Sequence, residues 1–221
     1  MNAAKQVNIN SISRGEYRQV VLVGDGFDTR PFRLPWPPGT LLFVAAPAEA
    51  HERAEALLAG AEGGPPRVGR GCLLRRVDLN LDAAAVALER AGFRQDRLSL
   101  WALQGLHGQR LGRPALLELL ADVTNSAAFH SLVIGELPLD GPRSEVDDAL
   151  AEVGLLGCAD EAAEAAAAEV LAAARAGDGD VAARWLFTSQ QMRLSLGQMG
   201  IYEDHAAAAE ETDEDFFGHF S

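Results

Sequence analysis

The stretch QVVLVGDGFDTRPFRLPWP, residues 19–37, decides the fold. It begins with an apolar, β-branched run typical of a buried strand, and this run ends in Gly24-Asp25-Gly26. In a parallel sheet, a glycine turn after the first strand lets backbone N–H groups approach a ligand closely. That turn lies at the carboxyl edge, where open α/β sheets bind ligands. The stretch therefore predicts a first strand followed by a turn shaped for a nucleotide-like cofactor.

Further apolar segments bounded by turn residues predict more strands, and amphipathic or alanine-rich segments between them predict helices. Strands that alternate with helices of this length favour an α/β fold, a mostly parallel sheet with helices on both faces. The predicted strands are 40–46, 73–79, 96–103 and 129–137, and the predicted helices are 48–60, 82–91 and 113–122.

Composition narrows the class of protein. At 221 residues and 48% hydrophobic, the chain suits one domain. A net charge of −13 argues against a nucleic acid or an anionic membrane surface as partner. The sequence has neither an apolar run long enough to span a membrane nor a signal peptide, and its two cysteines, Cys72 and Cys158, lie far apart. We therefore expect an intracellular protein, not a secreted one, with reduced thiols and no metal site.

The C-terminal third differs in character from the rest. Residues 1–18 are expected to be a lead-in, and residues 19–202 the domain, within which 138–183 form an alanine- and acid-rich helical insertion. Apolar residues near 185–202 predict a last strand and a short helix, and 203–221 form an acidic and then aromatic tail. The tail ends in three aromatic residues that need a surface to pack against, on this domain or on a protein partner: Phe216, Phe217 and Phe220.

The glycine turn does not match the dinucleotide fingerprint. Gly24 and Gly26 have the right spacing, but Thr29 stands where the third glycine would be. A nicotinamide-dependent dehydrogenase is therefore a remote alternative.

A longer pattern is more specific. QVVLVGDGFDTRPFRLPWP closely resembles the QVV-LGAG-DTR--RL-WP signature of the leucine carboxyl methyltransferase-like family of S-adenosylmethionine-dependent enzymes. The similarity covers most of residues 17–137 and part of the C-terminus. The other stretches that carry it are LLFVAAPAEAHERAEALL, RRVDLN, AGFRQDRLSLWALQGL and LFTSQQMRLSLGQMGIYEDH.

This resemblance implies a Rossmann-like, seven-stranded methyltransferase sheet, with S-adenosylmethionine lying across the ends of strands one, two and four. It implies that Gly24 and Gly26 face the methionine part of the cofactor, and that Asp28 and Arg30 shape its carboxylate end. Such roles suit the chemistry, since carboxylates bind ammonium groups and arginine binds a carboxylate in a fork.

At the other end of the cofactor, the resemblance implies that Asp78 and Leu79 frame the adenine. The family's second strand ends in an acid that binds both ribose hydroxyls, and Ala46 stands there in this chain. An alanine methyl accepts no hydrogen bond. Glu49 or Glu52, on the following helix, are the candidates to replace that acid.

Two more departures from the family pattern concern the cofactor's cationic end and its cover. Gln104 replaces the glutamate after strand four, so it can still touch the cofactor but carries no charge, and Gln109 replaces a tyrosine. His107 is a conceivable general base, although a histidine in a glycine-flanked loop is more often a surface residue, and no catalytic residue is assigned. Only 18 residues precede the first strand, whereas the family has a helical cover there.

Two hypotheses follow. The first is a methyltransferase-like domain with weakened or lost catalysis that serves as a protein-binding or assembly subunit, through the aromatic tail or the uncovered cofactor edge. The second is an active methyltransferase that acts on a hydroxyl or carboxylate. The sequence leaves the methyl acceptor open.

Overall fold

The structure is a computed structural model, and it describes residues 17–24, 26–60, 66–79, 84–106, 113–137, 143–157 and 185–192. The strands are β1 Gln19–Gly24, β2 Leu41–Ala46, β3 Leu73–Asp78, β4 Ser99–Gln104, β5 Leu132–Leu137, β6 Leu155–Gly157 and β7 Trp185–Gln191. The helices are α1 Arg30–Arg33, α2 Ala48–Ala59, α3 Ala84–Arg90, α4 Arg113–Ser126 and α5 Arg143–Glu152.

In this described part of the chain, no helix has both the length and the apolar character needed to cross a membrane. The intracellular location stays a prediction.

The strands form one seven-stranded sheet in the order β3-β2-β1-β4-β5-β7-β6. Strands β1 to β5 run parallel, and β7 runs antiparallel to both β5 and β6. The prediction of a mostly parallel sheet between helices is confirmed. The chain moves outward in one direction from β1 to β3 and then in the other direction from β4. Ligands bind α/β sheets at such a switch point, outside the carboxyl ends of the strands.

Successive residues of the central strands pack on opposite faces of the sheet. One face carries Val21, Val23, Phe43 and Leu103, which pack in one cluster with the apolar side of α4. On this face Phe93 meets Phe43 and Trp101 edge-to-face, with ring centroids 5.7 and 5.5 Å apart. The other face carries Val20, Leu22, Leu42, Val44 and Leu100, and it packs against Tyr17 and Trp36. Burial on both faces explains why these strands are continuous apolar runs without alternation.

The first residue of the deciding stretch has a structural role. Gln19 is only 2% exposed. Its Oε1 accepts the backbone N–H of Arg94 at 2.7 Å, and its Nε2 donates to the carbonyl oxygens of Arg94 at 2.8 Å and of Arg97 at 3.4 Å. One side chain thus holds the loop before β4 against the start of β1.

Replacing Gln19 by leucine should lower the free energy of unfolding by about 1–3 kcal/mol, because partly buried backbone groups of the loop lose their partners. Urea denaturation checks this prediction. Gln95 is the matched control, since its amide donates to the exposed Glu89 at the surface. Gln95→Ala should change stability by no more than about 0.5 kcal/mol. An unchanged urea midpoint for Gln19→Leu would contradict the structural role.

The segment predicted to be a helical insertion, residues 138–183, is not wholly helical. After α5, Gly154 adopts a left-handed φ of +87°, and the three-residue strand β6 follows and pairs with β7. Leu155 anchors β6 in the core at 1% exposure. The prediction of helix is wrong here because a strand of three residues has no periodicity of its own. Residues 158–184, which include Cys158, lie outside the described residues. The tail 203–221, with its three phenylalanines, also lies outside them.

Candidate functional site

A cleft of about 260 Å³ opens at the carboxyl ends of the central strands. Backbone and side chains from β1, β2, β4, β5 and the glycine turn line it. The lining residues are Leu22, Val23, Gly24, Gly26, Phe27, Asp28, Thr29, Arg30, Arg33, Val44, Gln104, Gly105 and Glu136. The cleft therefore lies where the strand order predicts a ligand site.

Strand register sets five residues side by side along this edge. Gly24 pairs with Gln104, and Ala46 pairs with Asp78. Val23 pairs with Ala45, so the next residue of each strand sets Ala46 beside Gly24. In the same way Leu103 pairs with Gly135, which sets Glu136 beside Gln104. We call the resulting set the carboxyl-edge row: Asp78, Ala46, Gly24, Gln104 and Glu136. Since neighbouring strands lie about 4.8 Å apart, the two acids lie roughly 10 Å from Gly24 on opposite sides.

Both predicted glycines line the cleft, and the backbone requires glycine at each. A Cβ on Gly24 would lie 1.9 Å from the carbonyl oxygen of Gln104, so β1 and β4 can approach as they do only without a side chain there. Gly26 has a φ of +80°, and a Cβ on it would meet Ala50 at 3.1 Å. The turn therefore lies directly against the first turn of α2.

Asp28 and Arg30 lie together in the cleft wall and bind each other. The Asp28 carboxylate accepts the backbone N–H of Arg30 at 2.8 Å, and Nε and Nη2 of Arg30 donate to the same carboxylate. The carbonyl oxygen of Arg30 accepts Nε1 of Trp36 at 3.0 Å. Charge-assisted bonds of this kind fix the backbone that leaves the glycine turn. The expected contact of both residues with the methionine carboxylate stays a prediction.

The two residues predicted to frame the adenine lie beside the cleft. Asp78 is exposed at the end of β3, and the N–H of Leu79 donates to the carbonyl oxygen of Ala46 at 2.8 Å. Neither is among the residues that line the cleft. They occupy the same edge of the sheet, on the β3 side of Gly24, and their role stays a prediction. Gln104, by contrast, lies in the cleft wall with an exposed side chain.

The second strand ends without an acid. Ala45 is 1% exposed and Ala46 is wholly buried. Side chains alternate along a strand, so position 46 faces the same side as Val44, which lines the cleft. Position 46 therefore lies on the same side of β2 as a cleft-lining residue, and Ala46 itself, wholly buried, is not among the residues that line the cleft. Glu49 and Glu52 are exposed on α2, and neither is among the lining residues.

One carboxylate in the cleft was missed by sequence reasoning. Glu136 lies near the end of β5, and its Oε1 accepts the backbone N–H of Gly105 at 2.9 Å. The signal was an acid near the end of an apolar strand. Glu136 reaches the cleft because β5 pairs with β4 in a register that sets Glu136 beside Gln104. The sequence of one strand does not show how that strand pairs with its neighbour.

His107 and Gln109 lie outside the described residues, so the conceivable general base is untested. Within the described ranges, no three His, Cys, Asp or Glu side chains come together as metal ligands. The free thiol of Cys72 is buried and lies 3.4 Å from the carbonyl oxygen of Pro37.

Comparison with known sequences points to one family. Residues 5–122 match the family model described as leucine carboxyl methyltransferase. O-methyltransferase 1, chloroplastic, of Oryza sativa subsp. japonica is 34% identical over 123 residues, which are 56% of this chain and 33% of that protein. A protein of Parafrankia sp., named as a candidate S-adenosyl-L-methionine-dependent methyltransferase, is 40% identical over 111 residues, which are 50% of this chain and 34% of that protein. The match thus spans about a third of each relative's length.

Solved structures support the fold. One is a chain from the complex between the Haloferax volcanii Trm112 methyltransferase activator and a candidate methyltransferase. It matches with a TM-score of 0.50 at 12% identity, over 86% of this chain and 95% of that chain. At that identity the likeness concerns the fold alone, and it confirms the predicted Rossmann-like methyltransferase architecture.

Proposed function

The chain belongs to the leucine carboxyl methyltransferase family, and we propose that it is the cofactor-binding core of an S-adenosylmethionine-dependent methyltransferase with lowered cofactor affinity. One observation carries this proposal. The cleft lies at the switch point of the sheet and combines three glycine backbones with charged side chains: Gly24, Gly26 and Gly105, with Arg30, Arg33 and Glu136. These are the groups that a zwitterionic, nucleoside-bearing ligand needs.

Each part of the cleft has a definite task in this function. Bound S-adenosylmethionine supplies a methyl group on a positively charged sulfur. The backbone at Gly24 and Gly26 lets the methionine part approach without a side chain between them. The bond between Asp28 and Arg30 holds the turn in one conformation, and Leu22 and Val44 give the cleft an apolar wall. Positioning of this kind is the protein's contribution to a group transfer.

The lowered affinity follows from the end of β2. A carboxylate at position 46 would accept two charge-assisted hydrogen bonds from the ribose hydroxyls, and Ala46 accepts none. At about 1.5–3 kcal/mol each, their loss costs roughly 3–6 kcal/mol. Gln104 places an uncharged amide in the cleft wall, so its own side chain makes no ion pair with the cofactor.

The proposed acceptor is a hydroxyl or carboxylate oxygen of a small molecule or a protein. The family's name supports a carboxylate, and the Oryza sativa relative is named an O-methyltransferase. Transfer to oxygen needs the acceptor to lie in line with the methyl group in a site from which water is excluded.

Calorimetric titration with S-adenosylmethionine tests the proposal. We expect saturable binding weaker than micromolar, since the ribose bonds are lost, and no comparable binding of ATP, which lacks the methionine part. Absence of binding at millimolar S-adenosylmethionine would contradict the proposal.

A second candidate is a domain that has lost catalysis and serves as a protein-binding or assembly subunit. The observation that favours it is that two positions of the carboxyl-edge row at which the family pattern has an acid, those of Ala46 and Gln104, carry no charge here. The proposed contact surfaces are the aromatic tail, with Phe216, Phe217 and Phe220, or the cofactor edge itself. The same titration separates the two candidates, because this one predicts no binding of S-adenosylmethionine.

A further inference from the structure

We propose that Glu136 binds the α-ammonium group of the cofactor and supplies the negative charge that Gln104 lacks. This inference rests on the proposed function and adds a residue that the signature stretch does not contain. Glu136 lines the cleft, and its Oε1 accepts the backbone N–H of Gly105 at 2.9 Å.

The position of Glu136 in the carboxyl-edge row fits this role. Gly24, the expected neighbour of the methionine part, stands at the centre of the row. Asp78, on the expected adenine side, lies roughly 10 Å away in one direction, and Glu136 lies about as far in the other. A cofactor whose adenine lies towards β3 therefore extends its amino-acid end towards β4 and β5, where Glu136 is located.

The distribution of charge among the cleft-lining residues also favours Glu136. Among the described lining residues, the carboxylates are those of Asp28 and Glu136. Both oxygens of Asp28 accept bonds from Arg30, which neutralises that carboxylate locally. Gln104 carries no charge. Glu136 is the carboxylate of the described cleft wall that lies on the β5 side of Gln104.

The geometry of Glu136 also suits an ammonium ligand. A carboxylate offers about four acceptor sites on two oxygens, and an ammonium group donates three hydrogen bonds. The bond from Gly105 holds the side chain at the carboxyl edge before a ligand arrives. A carboxylate oriented in advance binds a cation without losing side-chain freedom in the process.

The test measures how one substitution changes the binding of two different ligands. Glu136→Gln keeps an oxygen that can accept the Gly105 N–H but removes the charge. We expect it to weaken binding of S-adenosylmethionine by roughly ten- to a hundredfold, the range for one charge-assisted bond. Binding of 5′-methylthioadenosine, which has the same adenine and ribose but no amino-acid part, should change less than about twofold. Glu118, exposed on α4, is the matched control, and Glu118→Gln should leave both affinities unchanged.

Each outcome of this binding experiment either supports or overturns the role of Glu136. A selective loss for S-adenosylmethionine supports the role of Glu136. Equal losses for the two ligands would show that Glu136 only supports the shape of the cleft, and an unchanged affinity for S-adenosylmethionine would also overturn the inference. Binding of S-adenosylmethionine to the unmodified chain is the reference for these comparisons. If that binding is absent, the proposed function fails first, and the role of Glu136 fails with it.

Discussion

Replacing Ala46 by aspartate should strengthen S-adenosylmethionine binding by about a hundredfold. The new carboxylate would face the same side as Val44, which lines the cleft, and could accept bonds from both ribose hydroxyls. The full gain from two such bonds is roughly 3–6 kcal/mol. Part of it is offset, because position 46 is wholly buried and pairs with Asp78, so the new charge loses water and meets a like charge. Calorimetric titration measures the remainder.

Two comparisons isolate the ribose bonds. Ala46→Asn has nearly the same shape as Ala46→Asp without the charge, so it should gain less than about tenfold. The Ala46→Asp variant should bind 5′-methylthioadenosine more tightly by the same factor as S-adenosylmethionine, because both ligands carry the ribose. A folded Ala46→Asp variant with unchanged affinity would show that the ribose does not lie over the end of β2.

Gly24→Ala should be severely destabilising. The added methyl would lie 1.9 Å from the carbonyl oxygen of Gln104, which is backbone and cannot rotate away. Strands β1 and β4 would have to separate at the centre of the sheet. We expect a loss of about 3 kcal/mol or more in the free energy of unfolding. For a chain of this size, that is a fall of roughly 6–12 °C in melting temperature.

Gly157→Ala is the matched control for that experiment. Gly157 ends the edge strand β6, and a Cβ there would have no heavy atom within 4 Å. Its melting temperature should stay close to that of the unmodified chain. If Gly24→Ala also melted unchanged, β1 and β4 would not be held together as closely as the structure has them.

Much of the fold could be predicted from the sequence because the central strands are buried on both faces. Such strands stand out as short apolar runs, as 19–24 and 40–46 do, and the turn after Gly24 marks the carboxyl edge. Strand β6 could not be predicted in this way. Its three residues are too few for a pattern, and it exists because β7 offers an edge for pairing.

The site was predictable only in part, for a related reason. The glycine turn and the Asp28–Arg30 pair are contiguous in sequence, so one stretch contains them. Glu136 enters the cleft only through the register of β5 against β4, a relation between residues 32 positions apart. Sequence reasoning found that Gln104 lacks a charge but not that a neighbouring strand supplies a carboxylate.

The bonds made by Gln19 have an evolutionary consequence. Gln19 fastens a loop, Gly24 allows two strands to approach, and Asp28 holds Arg30, so each serves folding whether or not a cofactor binds. Natural selection for a folded chain alone would retain these residues in a lineage that had abandoned methyl transfer. Mutational drift would instead reach positions that only the ligand requires, and under the proposed function the end of β2, where Ala46 stands, is one of them.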